Sequence, residues 1–370
     1  MINTVTLIGS FPPPYGGMPI YLKHLAERFA DNGVKVEIID FTGVKKNFRY
    51  TNIELITVNK TYGKAMVRAL AKSKSQIFHV HASTYGVDPL LLITAVMARL
   101  KRRKFMISIQ GGAFLQFMQR PLHRKILRLI ALNLADAIIS VDPPVFKRLF
   151  ELLSKKKRKG IRYFSPPVDT DLFKGGVSGS EVRKKHGVKN NQQVVLFGPH
   201  LEPAYAPDQF IEAAALVIKK HPRVMFMLVG EGPQEHELRL LVKKLKLENH
   251  VIFVGSVPHE QMPKYYAACE INCNPCVFGQ GYSALEALAC ERPAIGARAK
   301  MQIRIENNID GLLFELGNIE DFASKISWLL GHPEKRREMG IRGRNRIVEQ
   351  HGLKVQAQKH IEIYNEITSR

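Results

Sequence analysis

Gly279-Gln280-Gly281-Tyr282-Ser283-Ala284-Leu285-Glu286-Ala287-Leu288-Ala289-Cys290-Glu291-Arg292-Pro293, followed by Ala294-Ile295-Gly296, reads as a glycine-flanked loop, a helix carrying one acid, and a buried strand. The first turn of such a helix offers unpaired backbone N–H groups and partial positive charge, so a diphosphate can sit there without any cationic side chain. Gly281, Tyr282, Ser283 and Ala284 would form that turn. Glu286, about a turn further on, would accept hydrogen bonds from a ribose. The same residues equally describe a buried helix with one capping or paired acid.

A second corner lies near the N-terminus. Thr4-Val5-Thr6-Leu7-Ile8-Gly9 is a short apolar strand, and Pro12-Pro13-Pro14-Tyr15-Gly16-Gly17-Met18 interrupts the chain before an amphipathic helix with Leu22, Leu25, Ala26 and Phe29 facing inward. Strand, glycine turn and helix again make a place for phosphate, with Gly16 and Gly17 at the turn.

Together the two corners resemble the GT-B glycosyltransferases, in particular the large retaining family (glycosyltransferase family 4-like) that includes bacterial phosphatidylinositol mannosyltransferases and lipopolysaccharide glucosyltransferases. Members carry a proline-rich loop with a Gly-Gly pair at the first corner and two glutamates separated by seven residues at the second. The resemblance implies an α/β fold of GT-B type, two Rossmann-like doubly wound parallel-sheet domains facing a cleft. It implies an N-terminal acceptor-side domain at 1–168 and a nucleotide-sugar-binding domain at 169–353, with a last helix, 354–369, packing back on the first. The implied reaction moves a hexose from a nucleotide-sugar donor to a glycan or lipid-linked acceptor, retains configuration, and uses neither metal nor other cofactor, the nucleotide-sugar being a substrate.

Alternating apolar strands and helical stretches support the two-domain layout. Strands are expected at 3–9, 35–39, 53–57, 76–80, 104–109, 137–141 and 161–164, and again at 193–198, 224–230, 251–255, 271–274 and 293–297. Ser165-Pro166-Pro167-Val168-Asp169 interrupts the pattern between the two sets. In the second set, Val229-Gly230-Glu231-Gly232-Pro233 is a glycine turn that fits either a ligand corner or a structural bend. Val254-Gly255-Ser256-Val257 matches the family segment whose backbone meets the nucleobase, which makes Gly230, Gly255 and Val257 donor-binding candidates.

The chain has 370 residues and a net charge of +22. Residues 1–173 hold 28 Lys and Arg against 11 Asp and Glu, the remainder 27 against 22, so the positive excess belongs to the N-terminal half. The basic runs 101–104 and 155–159 lack interleaved aromatics and no nucleic-acid module is visible, so nucleic acid is not expected as a partner. In 114–134, Arg120, Arg124 and Arg128 recur every fourth residue and share a helix face, with Leu115, Met118, Leu122, Ile126, Leu129 and Ile130 supplying the apolar side. A basic amphipathic helix fits an anionic membrane surface, and an ordinary core-facing helix fits the same pattern. No apolar run approaches the roughly 18 residues of a membrane span, and no signal-peptide order opens the chain. The expected location is the cytoplasm, peripheral on the inner face of the membrane.

Four positions depart from the family. Phe278 stands where the first glutamate belongs, His200 and Tyr205 replace an Arg and a Lys that neutralise the leaving diphosphate, and Gln110 replaces a His before Gly111. Gln110 cannot titrate near neutral pH. Stabilising the diphosphate then falls to the 282–286 helix start, Gly17, His200 and Tyr205, with Arg298, Lys300 and Arg304 as candidate substitutes. Gly17, His200, Tyr205 and Gln110 are thus the catalytic candidates. The alternative is a catalytically impaired GT-B scaffold that binds nucleotide or a partner without transferring sugar. Cys269, Cys273 and Cys276 have the spacing of a three-thiolate iron–sulfur site but lie in a helix end and an apolar strand, where buried free thiols are expected. His79 and His81 share a strand face without an acid partner, which favours satisfied histidines over a metal site.

Overall fold

The computed structural model describes residues 2–13, 17–44, 46–59, 63–82, 88–109, 122–277, 281–298 and 304–370, the side chains of Gly17 and Met18 excepted. The first elements are β1 (Thr4–Gly9), α1 (Gly17–Asp31), β2 (Lys35–Asp40), β3 (Ile53–Thr57), α2 (Lys64–Lys72), β4 (Ile77–Ala82), α3 (Asp88–Leu100), β5 (Lys104–Ile109), α4 (Leu122–Leu134), β6 (Ala137–Ser140), α5 (Pro143–Leu152), α6 (Lys155–Arg158) and β7 (Ile161–Tyr163). There follow α7 (Ser180–Lys185), β8 (Gln193–Phe197), α8 (Pro207–Val217), β9 (Val224–Val229), α9 (Glu235–Lys244), β10 (Val251–Gly255), α10 (Met262–Ala268), β11 (Ile271–Asn274), α11 (Tyr282–Ala289), β12 (Ala294–Ala297), β13 (Gly311–Phe314), α12 (Ile319–Gly331), α13 (Pro333–His351) and α14 (Leu353–Thr368). They form two units, Met1–Pro167 with Leu353–Arg370, and Val168–Gly352.

The first unit is a seven-stranded parallel sheet in the order β3-β2-β1-β4-β5-β6-β7. Strands of such a sheet are covered on both faces, which is why β4 and β5 read as nearly continuous apolar runs. The order reverses between β1 and β4, whose registers pair Val5 with Ile77 and Ile8 with Val80. Helix α14 packs on α1 in this unit, with the Phe29 ring 5.4 Å from that of Tyr364 and 6.0 Å from that of His360. Beneath it, His79 is fully buried on β4 and hydrogen-bonds Tyr364 Oη at 2.6 Å and Ser108 Oγ at 2.7 Å. Its ring lies 4.2 Å from that of His81 and 5.7 Å from that of His360. His79 is therefore satisfied in the core, whereas the Nε2 of His81 makes no hydrogen bond among the described residues; among those residues no group of three or more His, Cys, Asp or Glu is arranged to hold a metal ion.

Helix α4 corrects the expected arginine face. Arg128 is 4% exposed and ion-pairs through its guanidinium with buried Asp88 in the first turn of α3. Periodicity placed it on the same face as Arg124, but a buried carboxylate calls for an ion-pair partner, and Arg128 turns inward to Asp88. The apolar side is turned outward instead: Leu122, Ile126 and Ile130, spaced by four, are 72%, 48% and 43% exposed. Ile126, Leu129, Ile130, Asn133 and Leu134 line a shallow depression there. Residues 110–121, with Leu115, Met118 and Arg120, lie outside the described residues.

The second unit is a six-stranded parallel sheet in the order β10-β9-β8-β11-β12-β13, reversing between β8 and β11. Its core includes Phe197, Phe210 and Phe226 on one face and Leu196, Tyr266 and Leu285 on the other. In α13, Arg344 donates to the carbonyls of Thr170, Phe173 and Ala289, which ties the unit's first segment to its last helix. No helix among the described residues is long and apolar enough to cross a membrane.

Candidate functional site in the second unit

In an open parallel sheet, ligands settle outside the carboxyl ends of the strands where the strand order reverses. In the second unit those ends are the loops after β8 and β11, and four of the candidate segments meet there. Gly198 follows β8, and a Cβ on it would sit 3.4 Å from Ser283 Cβ and 3.6 Å from Tyr266 Oη. Ser283 lies in the first turn of α11, whose N-cap is Gly281 in extended geometry with no side-chain cap. The first backbone N–H groups of α11 are therefore not taken up by a capping side chain, as an anion site requires.

Glu286 is 9% exposed and already bonded. Its Oε1 pairs with His259 Nε2 at 2.8 Å and its Oε2 accepts from Tyr266 Oη at 3.0 Å. Of the two alternatives in the sequence, the structure shows the paired acid, on a helix whose start has no side-chain cap. Burial opposes charge on His259, but the hydrogen bond and charge of Glu286, joined by Glu260 and Asp169, outweigh it and hold the imidazole above the ordinary histidine range. Tyr266 is pushed well above the usual phenol range, by burial first and then by Glu286, so it stays a donor. Neither His259 nor Tyr266 was found from the sequence. His259 lies 27 residues before Glu286 in a short 3-10 turn after β10, and no periodicity links them.

Two asparagines at the end of β11 complete the floor. Asn274 Oδ1 accepts from Ser283 Oγ at 3.0 Å and Asn272 Nδ2 donates to the Ser283 carbonyl at 3.4 Å. Both side chains are fully buried, and Asn274 Nδ2 and Asn272 Oδ1 have no hydrogen-bond partner among the described residues. Buried amide groups left in this state are uncommon.

The glycine turns after β9 and β10 frame the other edge. Gly230 and Gly255 have φ of +136° and +81°, where side chains are strained, and Gly230 N donates to the Gly255 carbonyl at 2.9 Å. A Cβ on Gly230 would lie 2.7 Å from the Pro199 carbonyl oxygen, and one on Gly232 2.4 Å from that of Leu201. Both glycines let this turn close on the 199–201 segment, which is a structural reason for them. Val257 is half-buried two residues before His259.

His200 is exposed on that 199–201 segment, its ring 6.0 Å from Tyr205 in the 3-10 turn Pro203–Tyr205. The turn is tied to the loop after β11, since Val277 N donates to the Ala204 carbonyl at 3.0 Å and Cys276 Sγ at 3.2 Å. Tyr205 is raised above the usual phenol range by burial, with Cys276 and Glu202 adding, so it too remains a hydroxyl donor. Arg298 is committed to Glu315 at 2.8 Å, and the Arg304 guanidinium lies 5.7 Å from the Tyr282 ring. Tyr282 is partly exposed at the helix start.

Phe278, Gly16, Gln110 and Lys300 lie outside the described residues. Gly17 opens α1 in the first unit. The approach to it is fixed by Asp40, which accepts from Phe11 N at 3.1 Å, while the buried Lys46 ammonium binds both Asp40 and the Phe11 carbonyl. The four cysteines form no disulfide and are buried. Burial pushes the thiols of Cys269 and Cys290 up to about 12 and that of Cys273 well above its ordinary value, so these sulfurs rest as thiols.

Comparisons with known proteins give the family and the fold. A family model described as Glycosyl transferases group 1 matches residues 179–346. Over 356 residues, the chain is 23% identical to the GDP-mannose-dependent alpha-(1-6)-phosphatidylinositol monomannoside mannosyltransferase of Mycolicibacterium smegmatis, covering 90% of this chain and 91% of that protein. It is 24% identical over 371 residues to the D-inositol 3-phosphate glycosyltransferase of Kribbella flavida, covering 88% and 85%. The structure of Anabaena HepE in complex with UDP matches with a TM-score of 0.75 at 19% identity, over 99% of this chain and 100% of that one.

Proposed function

This chain belongs to the group 1 glycosyltransferases, has the GT-B fold and is a distant homologue of the phosphatidylinositol mannosyltransferases; from that premise we propose that it transfers a hexose from a nucleotide-sugar to a glycan or lipid-linked acceptor with retention of configuration. The observation that carries the proposal is the start of α11, uncapped by any side chain, with Glu286 held a turn inside it by His259 and Tyr266. The diphosphate would rest on the N–H groups of the 282–284 turn and the ribose on Glu286. The acceptor hydroxyl would attack from the face that the diphosphate leaves. Negative charge growing on the departing phosphate would meet the helix dipole and the hydroxyl of Tyr205, with His200 beside it. Gly230, Gly255 and Val257 would border the base. No resident cofactor is invoked, the nucleotide-sugar being consumed. The named relative that uses GDP-mannose and the neighbour solved with UDP make both nucleotides donors to test.

We also place an anionic membrane surface among its partners, now through the outward stripe Leu122, Ile126 and Ile130 with exposed Arg124 and half-buried Lys125 beside it. A lipid-linked acceptor is consistent with that surface.

A nucleotide-sugar panel read by thermal shift, coupled to detection of released nucleotide and of glycosylated acceptor, tests the transfer. His200 and Tyr205 in place of a cationic pair favour one second outcome, a scaffold. Nucleotide binding with neither transfer nor donor hydrolysis across the panel would establish it.

A further inference from the structure

Glu286 is bonded in a way that a purely structural acid does not need. An ionised carboxylate offers about four acceptor positions, and those of Glu286 receive two donors, His259 and Tyr266, one on each oxygen. Both donors are side chains, brought from the turn after β10 and from α10. Among the described residues one acceptor direction on each oxygen is left over, and the Glu286 side chain is 11% exposed beside a His259 side chain that is 36% exposed. Two directed acceptors a short distance apart match a vicinal diol, which presents two O–H donors together. The position fits the same ligand: Glu286 lies four residues into α11, a rise of about 6 Å from Tyr282.

We propose that His259 is a positioning residue for nucleotide recognition, holding the Glu286 carboxylate against Tyr266 so that its two remaining acceptor directions select a ribose with both hydroxyls. This rests on the donor-site assignment above and adds to it the residue that sets discrimination between ribo- and deoxyribonucleotides. His259 is itself located on three sides. The Phe173 ring lies 5.0 Å from it, Glu286 faces it from α11, and Glu260 on its own turn with Asp169 on the segment before α7 surrounds it with negative charge. That charge favours the cationic imidazole, which can donate to the carboxylate. Removing His259 frees the carboxylate to turn away from the ligand while Tyr266 alone restrains it. A glutamine there keeps an N–H donor near the place of Nε2, so it serves as the conservative variant.

The test is calorimetric titration of the full chain with a nucleoside diphosphate and with its 2′-deoxy counterpart, for the parent, His259→Ala and His259→Gln. The parent is expected to prefer the ribonucleotide by roughly tenfold, about 1.4 kcal/mol. His259→Ala should bring the ratio to within about twofold, and His259→Gln should restore most of it. Thermal unfolding without ligand shows whether each variant is folded, and a folded His259→Ala with the parent's ratio overturns the proposal. So does a parent that binds both nucleotides alike, which leaves the glycosyltransferase assignment standing. A parent that binds neither nucleotide overturns that assignment together with the role of His259. Should His259→Ala fail to fold, Tyr266→Phe removes the opposite restraint, and an unaltered ratio in that variant is likewise fatal.

Discussion

Replacing Glu286 by alanine takes away the acceptor on which a ribose would rest and leaves His259 without its counter-charge. Affinity for the best nucleoside diphosphate should fall by about 1–3 kcal/mol, measured by calorimetry, and an unchanged value would remove Glu286 from the site. Tyr205→Phe and His200→Ala should behave differently. If they stabilise the departing diphosphate, turnover should fall more than nucleotide affinity, read from single-turnover transfer beside equilibrium binding. At this scale the sequence showed Glu286 because a lone acid in an apolar helix stands out. It hid His259 and Tyr266 because what joins them to Glu286 is the assembly of the β10-β9-β8-β11 sheet, a long-range event with no local pattern. It also left open whether Gly230 and Gly232 serve a ligand, and the carbonyls of Pro199 and Leu201 supply a packing reason instead.

Helix α4 shows what periodicity can and cannot say about an element. Spacing by four identified a helix with an apolar and a basic side, while the choice of inward side was made by Asp88, on another helix. Breaking that buried pair by Arg128→Met should destabilise the first unit by about 3–5 kcal/mol, seen as an earlier denaturant midpoint. Removing both charges together, Arg128→Met with Asp88→Leu, should recover much of the loss. The outward stripe makes a separate prediction. Ile126→Glu should abolish sedimentation with anionic vesicles, Arg124→Glu should weaken it, and added salt should weaken what the parent shows. Equal partition of the parent onto neutral and anionic vesicles would remove charge from the interaction. The strands needed no such correction, since a parallel strand covered on both faces must be apolar throughout, and that run is visible locally.

Across the whole molecule, buried histidines make the first unit sensitive to acid. Burial, with the neighbouring imidazoles adding to it, holds His79 well below the ordinary histidine range; burial and His360 bring His81 to about 3, and burial brings His360 to about 4. In the unfolded chain each would titrate near 6.5. Depressed folded values mean that the unfolded state binds more protons below that point, so the stabilisation is complete above about pH 6.5 and is lost as pH falls toward 4 and then 3. Among the described residues, the groups facing the cluster include Tyr21, Ser108, Gln356 and Tyr364, which are uncharged. Denaturant midpoints of the first unit should therefore fall steeply over that window, and His360→Gln should flatten the slope. A midpoint independent of pH down to about 5 would contradict the neutral cluster.

The return of α14 also bears on the order in which the protein is made. Synthesis runs from N- to C-terminus, and domains generally fold as they emerge. Every strand of the first sheet leaves the ribosome early, but Tyr364 and His360 follow only after the whole of Val168–Gly352. Until then His79 lacks its phenolic partner and the flank of α1 that α14 covers stays open. The later-born unit is contiguous and can finish first, so the half of the chain translated earliest is the half completed last, and it waits as a nascent chain with an open apolar flank.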